Sequence, residues 1–286
     1  MILTMKILAK AVWGVCTLVA VMPATVLAQA QTPPAAPVAV TSDPDSRVDA
    51  LQPDFTLVAL PTTLRMPKGK FAFRVTHRFT RSLGRGDFGD LLNDFFGFDS
   101  GAQIGLELRY GLLPGTQIGV HRTSDRTIQI FGQQSVRKQA PDGHPLGLDV
   151  LATWEGTNNM RGQQSSTIGV LVSRKVGRFA ALYAEPMVVI NSSPFDDEEN
   201  NTTAIGLGTR LRVRPSLYLV GEWTPRLSGY DPGVDQGSFG FEMRSGGHAF
   251  QINFSNGFGT TLGQVARGGI SNDSWFIGFN ISRKFF

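Results

Sequence analysis

The chain has 286 residues, with 27 Lys and Arg against 23 Asp and Glu, a formal charge of +4 and a single cysteine. So slight a positive balance gives no electrostatic case for nucleic-acid binding, and one cysteine excludes a disulfide framework or a thiolate metal site. Glycine (33) and phenylalanine (20) are abundant, as in strands that are small or polar on one face and apolar on the other.

In chain order, Lys6 and Lys10 come before or beside an apolar stretch from Ala11 to Met22 that Pro23 interrupts. This is the pattern of a secretion signal over 1–28, with small-residue cleavage sites after Ala28 or Ala30. The stretch is too short to anchor as a spanning helix. Trp13-Gly14-Val15 before Cys16 lacks the small residue that lipid attachment prefers, so export is expected and Cys16 leaves with the signal. Residues 29–53 are rich in Ala, Pro, Asp and Ser, a linker composition with little to bury. Such a linker could engage a periplasmic partner. Phe55 to Met66 follows as a short extended lead, so 29–66 is expected to be a periplasmic lead and linker and 67–286 the transmembrane barrel.

From Gly69 onward the pattern has a period of two. Phe71, Phe73, Val75 and Phe79 oppose Arg74, Thr76 and Arg78. Ile104, Leu106, Leu108 and Tyr110 oppose Gly105, Glu107 and Arg109. The alternation returns over 146–155, 203–212, 239–244 and 250–255, and more weakly near 116–123, 126–136, 164–175, 179–191 and 216–225. The last strand, Trp275 to Phe286, places Ile277, Phe279, Ile281 and Phe285 on one face. About twelve strands result, each near the ~9–11 residues that cross a bilayer when tilted. Tight connections such as Leu113-Pro114-Gly115, Val176-Gly177-Arg178 and Ser245-Gly246-Gly247 take turns with long ones at 81–100, 192–201, 226–235 and 257–273. Two fit less well: 137–145 is long for the periplasmic side, and Ser124-Asp125 is short for the outside. A secreted β-sandwich also alternates. Strand length, even count, loop asymmetry and aromatics near strand ends (Phe79, Tyr110, Trp154, Trp223, Trp275) favour an all-β, antiparallel, up-and-down transmembrane barrel in the outer membrane, with short periplasmic turns and longer extracellular loops.

The C-terminal third carries a family resemblance. Ser245-Gly246-Gly247-His248-Ala249-Phe250-Gln251-Ile252-Asn253-Phe254 and Phe276-Ile277-Gly278-Phe279-Asn280-Ile281-Ser282-Arg283 closely resemble the end of an uncharacterised family of bacterial membrane-bound β-barrels. Phe73 to Phe79 looks like its first strand, and Phe95 to Ala102 like its first loop and second strand. The similarity runs from about Pro67 to Phe285, so Phe286 is one residue beyond the family's usual end. The resemblance implies the barrel and supplies no biochemical activity.

Charge on the polar face is expected in the lumen, because a charge facing lipid at mid-bilayer costs about 2–4 kcal/mol. The lumen-lining set is Arg74, Arg78, Glu107, Arg109, Asp149, Glu155, Arg210, Arg212, Glu222, Glu242 and Arg244. Near balance of sign predicts a narrow, weakly selective pore for small polar solutes or ions. Neighbouring charges could instead pair and fill the interior, since about twelve strands lie between filled and open barrels. Loop 81–100, with Asp87, Asp90, Asp94, Phe95 and Phe96 on an amphipathic segment, is a candidate constriction, or else rests at the outer membrane boundary. Asp196-Asp197-Glu198-Glu199 lacks the spacing of a calcium loop and reads as a solvated acidic run. His77 falls in the lipid-facing phase, His121 in the polar phase and His248 at a turn. No G-x-S-x-G motif or metal spacing accompanies them, so no catalytic residue, metal or cofactor is expected. Two other readings stay open: a closed barrel that binds through its loops and linker, and a membrane-embedded lipid hydrolase.

Overall fold

The computed structural model describes residues 48–141, 143–195 and 200–286. The segment expected to be the export signal, most of the 29–53 segment expected to be a linker, and the acidic run 196–199 lie outside the described residues.

Among the described residues thirteen strands follow in order. They are β1 (Phe71–Phe79), β2 (Ala102–Leu113), β3 (Thr116–Thr123), β4 (Ile128–Arg137), β5 (Gly147–Gly156), β6 (Gln164–Val176) and β7 (Ala180–Ile190). Then come β8 (Thr202–Arg214), β9 (Leu217–Thr224), β10 (Arg226–Ser228), β11 (Gln236–Ser245), β12 (His248–Ser255) and β13 (Phe276–Phe285). Each barrel strand pairs antiparallel with its neighbours, and β13 returns to β1 from Phe71↔Phe285 to Arg78↔Gly278. The ring therefore closes with twelve strands, while β10 sits outside it against the start of β8. Closure removes the free edge that an open sheet would present to lipid.

Burial follows the sequence period. Leu106, Leu108, Val150, Trp154, Leu207, Phe241 and Ile252 are exposed outward, and Glu107, Arg109, Asp149, Glu155, Arg210, Glu242 and Gln251 are buried inward. Exposed strand charges such as Arg122, Arg137, Arg174 and Arg214 lie near strand ends, which leaves the central band apolar. His77 joins the outer face and stacks on Phe279, with ring centroids 4.7 Å apart. Phe79 departs from the girdle expected of it: it is buried and packs against Phe98 of the following loop.

The segment before β1 differs most from expectation. Instead of a lead outside the barrel, Val48 to Met66 is almost wholly buried. It forms a hairpin in which Thr56 bridges Pro61, and the Leu57 and Thr62 amides donate to the Leu60 and Phe55 carbonyls. Its base lies at the short-turn end, where the Tyr218 hydroxyl donates to the Ala50 carbonyl and Lys175 meets Asp49 at 2.7 Å. Its tip, 57–60, reaches up the lumen to Glu222. Leu51, Leu57, Ala59 and Leu60 pack with wall residues Phe131, Leu151, Leu171, Tyr183 and Met187. Burying each leucine contributes roughly 1.5–3 kcal/mol. Phe286, the residue beyond the family's usual end, turns inward onto the hairpin base beside Val48, Phe55, Leu64 and Met66.

Candidate functional site

The barrel interior is the candidate site, and three sets of groups meet there: wall, hairpin and one outer loop. A hairpin tip inside a barrel has no strand ladder for its backbone, so side chains must satisfy those groups. The Glu222 carboxylate accepts the Val58, Ala59 and Leu60 amides at 3.0 Å each. Three successive N–H groups converging on one anion make a compact anion-binding nest. The Val58 carbonyl accepts from Arg74 and from the Asn280 amide, the latter at 3.0 Å. Arg210 donates to Thr56 O, Gln251 to Leu57 O, Gln133 to Thr62 O and Gln117 to Leu64 O. Lower down, Ser282 and Lys284 hold Asp54.

The wall is shaped to admit this insert. Gly206 and Gly208 of β8 face inward over the hairpin tip. An ideal Cβ at 206 would lie 2.9 Å from Leu60 Cδ1, and one at 208 would overlap Leu57 Cδ1. Arg109 lies between Phe55 of the hairpin and Phe131 of the wall, at 5.1 and 4.5 Å from the ring centroids.

From the other end the loop between β12 and β13 folds inward. Its short helix α2 (Leu262–Ala266, numbered after α1, Phe88–Asn93) is buried at every residue and starts with a capping box between Thr261 and Gln264. Glu155 accepts the Gly263 amide at 3.2 Å and pairs with Arg267 at 3.5 Å, and Gln264 reaches Asp125 at 2.8 Å. Between hairpin and loop lies a small cavity of about 30 Å³ bounded by Ala59, Glu107, Arg109, His121, Gln129 and Leu262. That is room for about two water molecules.

Of the charges expected to line the lumen, nine of the eleven are buried inside: Arg74, Arg78, Glu107, Arg109, Asp149, Glu155, Arg210, Glu222 and Glu242. Most are engaged with one another or with the insert. Arg109 pairs with Glu107 at 2.9 Å and Arg210 with Glu242 at 2.9 Å, and Asp149 accepts from Gln133 and Ser135. Arg212 and Arg244 sit half-buried at the short-turn end, where Arg212 donates to Pro215 O.

Loop 81–100, expected as either a constriction or a segment at the outer boundary, lies at the rim. Asp87, Asp90, Asp94 and Phe95 are exposed, Phe96 is half-buried, and α1 has no buried residue. The Asp87–Asp90 capping box and the Arg81–Asp94 ion pair let that loop fold on itself at the rim. The inward loop is 256–269 instead. Sequence reasoning also passed over Asn280, Gln251, Gln133 and Gln117, which sit in the lumen phase but carry no charge. Among the described residues no group of three His, Cys, Asp or Glu is arranged to hold a metal ion.

Residues 54–285 match the model of a family described as a membrane bound beta barrel domain, of unknown function. The match starts within the hairpin. No curated protein matches the chain. Among solved structures the NanC porin aligns with a TM-score of 0.50 at 8% identity, covering 76% of this chain and 100% of the porin. An outer-membrane channel of Pseudomonas putida F1 aligns with a TM-score of 0.50 at 11% identity, covering 77% of this chain and 97% of that one. At such identities the likeness is one of fold.

Proposed function

The chain belongs to that family of membrane bound β-barrels, and we propose that it is a gated outer-membrane pore for small polar solutes or ions, with the 48–66 hairpin as its gate. One observation carries the reading. The hairpin tip is held by side chains, above all by Glu222, and by no strand pairing with the wall. Such contacts can be exchanged for water without breaking the barrel ladder. Twelve strands lie between filled and open barrels, and withdrawal of the insert would free the interior space that a passage needs. The paired charges Arg109–Glu107 and Arg210–Glu242 keep the net lumen charge small, which supports weak overall ion selectivity.

The test is single-channel conductance of the refolded full chain in a planar bilayer. Infrequent discrete steps with an ion permeability ratio near one are expected. Silence from folded, inserted protein, in wild type and in variants with a weakened hairpin latch, would overturn the pore. Silence would instead favour a closed barrel that binds at its outer rim, where Phe88, Phe95 and Phe98 are exposed.

A further inference from the structure

Charge pairing in the lumen is incomplete: among the described residues Glu185 is buried with one carboxylate oxygen unpartnered, and one buried cation, Arg78, has no ion pair. Arg78 is 1% exposed, and among the described residues no carboxylate lies within 4 Å of its guanidinium. Its Nη1 donates to Asn280 Oδ1 and to the His77 carbonyl, while Nε and Nη2 have no partner. Burying a cation without a counter-charge is expensive. Two steps of the β1 alternation further down, past Thr76, Arg74 shows the same tendency: its Nε is buried and unpartnered, and its Nη1 stands 3.9 Å from Glu107, which pairs more closely with Arg109. Arg74 Nη2 and Asn280 Nδ2 both donate to one oxygen, the carbonyl of Val58 at the hairpin tip, and Nδ2 donates its other hydrogen to Gln251 Oε1 at 2.7 Å.

We propose that Arg74, Arg78 and Asn280 form a binding site for a small oxyanion (a carboxylate or phosphate group on a polar solute), and that the Val58 carbonyl occupies part of this site while the barrel is closed. A neutral carbonyl oxygen satisfies two of the donors and leaves the guanidinium charge uncompensated. A carboxylate or phosphate would accept from the same two donors, reach the free Nε and Nη2 groups, and bring the missing negative charge. Glu222 is the nearest source of opposite charge but makes no direct pair with Arg78, because its oxygens are committed to the Val58, Ala59 and Leu60 amides. Solute and hairpin tip therefore compete for Arg74 and Asn280. By linkage, a ligand that binds only the undocked state shifts the barrel toward it. This deepens the pore reading and rests on it for its meaning: the solutes that pass would include polar molecules bearing an oxyanion group, and such a solute would favour opening of its own gate.

The experiment uses the full chain carrying Leu57→Cys at the hairpin tip, and reads the rate of modification by a water-soluble maleimide. Succinate and inorganic phosphate are the probes, with chloride at equal ionic strength as control. The expected result is a saturable increase of about fivefold or more with either oxyanion, the lower end of ordinary coupling. It should be lost in R78Q and partly kept in R78K, which retains charge but not the fork of donors. Heat-modifiable migration on gels identifies folded barrels for each variant. No dependence on oxyanions, or an equal dependence in R78Q, would overturn the site. Conductance on the same preparations separates the two ideas. Discrete steps with oxyanion-independent labelling would sink the site and leave the pore. Oxyanion-dependent labelling without steps would leave a ligand-binding barrel and sink the pore.

Discussion

Replacing Glu222 by glutamine removes the charge that gathers the hairpin tip. The carboxylate accepts three backbone amides at 3.0 Å in a buried setting. Hydrogen bonds to a charged group contribute about 1.5–3 kcal/mol each. Glutamine keeps one carbonyl oxygen, but its amide nitrogen turns donors toward donors, so at least one hairpin amide is orphaned. Docking should weaken by roughly 2–4 kcal/mol in total, since neighbouring bonds to one carboxylate do not add fully. At about 1.4 kcal/mol per factor of ten, the undocked population rises between tens- and several-hundred-fold. The ring of strands is untouched, because Glu222 pairs through its backbone with Gly208 and Ser238. Open probability of single channels in a planar bilayer reads the shift directly. A folded E222Q barrel whose open probability equals wild type would refute the assignment of Glu222 as the latch.

Two further perturbations test the fit of hairpin to wall. Gly208→Val places a side chain where Leu57 Cδ1 now sits, while a β-branched residue suits the strand itself. Overpacking of this kind costs about 1–3 kcal/mol, so protease cleavage within 48–66 should speed up while the barrel keeps its gel migration. Unchanged cleavage would mean that the tip tolerates the bulk and that the glycines do not shape the seat. At the hairpin base, burial alone would raise the Asp49 carboxyl. The Lys175 hydrogen bond at 2.7 Å, the Leu51 amide and the Lys175 and Lys138 charges outweigh it and hold the group below the usual carboxylate range. A depressed value in the docked state means stabilisation that is present at neutral pH and lost as pH falls through that depressed value. Cleavage of the hairpin should therefore rise in acid, and Asp49→Asn should remove that component; an identical acid response in the variant would place the sensor elsewhere.

The barrel was legible because its physics repeats along the chain. A lipid-facing position tolerates no charge, so Leu106, Leu108, Phe241 and Ile252 announce their face, and loop lengths alternate with strand direction. The hairpin was not legible, since Phe55 to Met66 is too short to show a period and its partners lie far away in sequence. Ala59 and Glu222, for instance, are 163 residues apart. Indirect signs were present. Phe131, Leu151, Leu171 and Met187 fall in the lumen phase of their strands, and an apolar patch inside a barrel needs a cover. Gly206 and Gly208, in the same phase, mark a close approach. The two loops illustrate the same limit. Loop 81–100 carries the more amphipathic sequence yet stays at the rim, whereas Thr261 to Arg267, with fewer obvious signals, folds inward because Glu155 and Asp125 wait there for its amide and side chains.

The central claim is that withdrawal of the hairpin opens the barrel, and a reversible lock tests it most directly. The only native cysteine is Cys16, so in a chain also carrying Cys16→Ser a Leu57→Cys, Gly208→Cys pair stands alone. Leu57 Cγ lies 3.7 Å from the ideal Cβ position of residue 208, close enough for a disulfide after a small adjustment. Conductance of this variant in planar bilayers should vanish under oxidising conditions and return on adding a reductant. Equal conductance in both states, with the disulfide verified by mass, would contradict the gate.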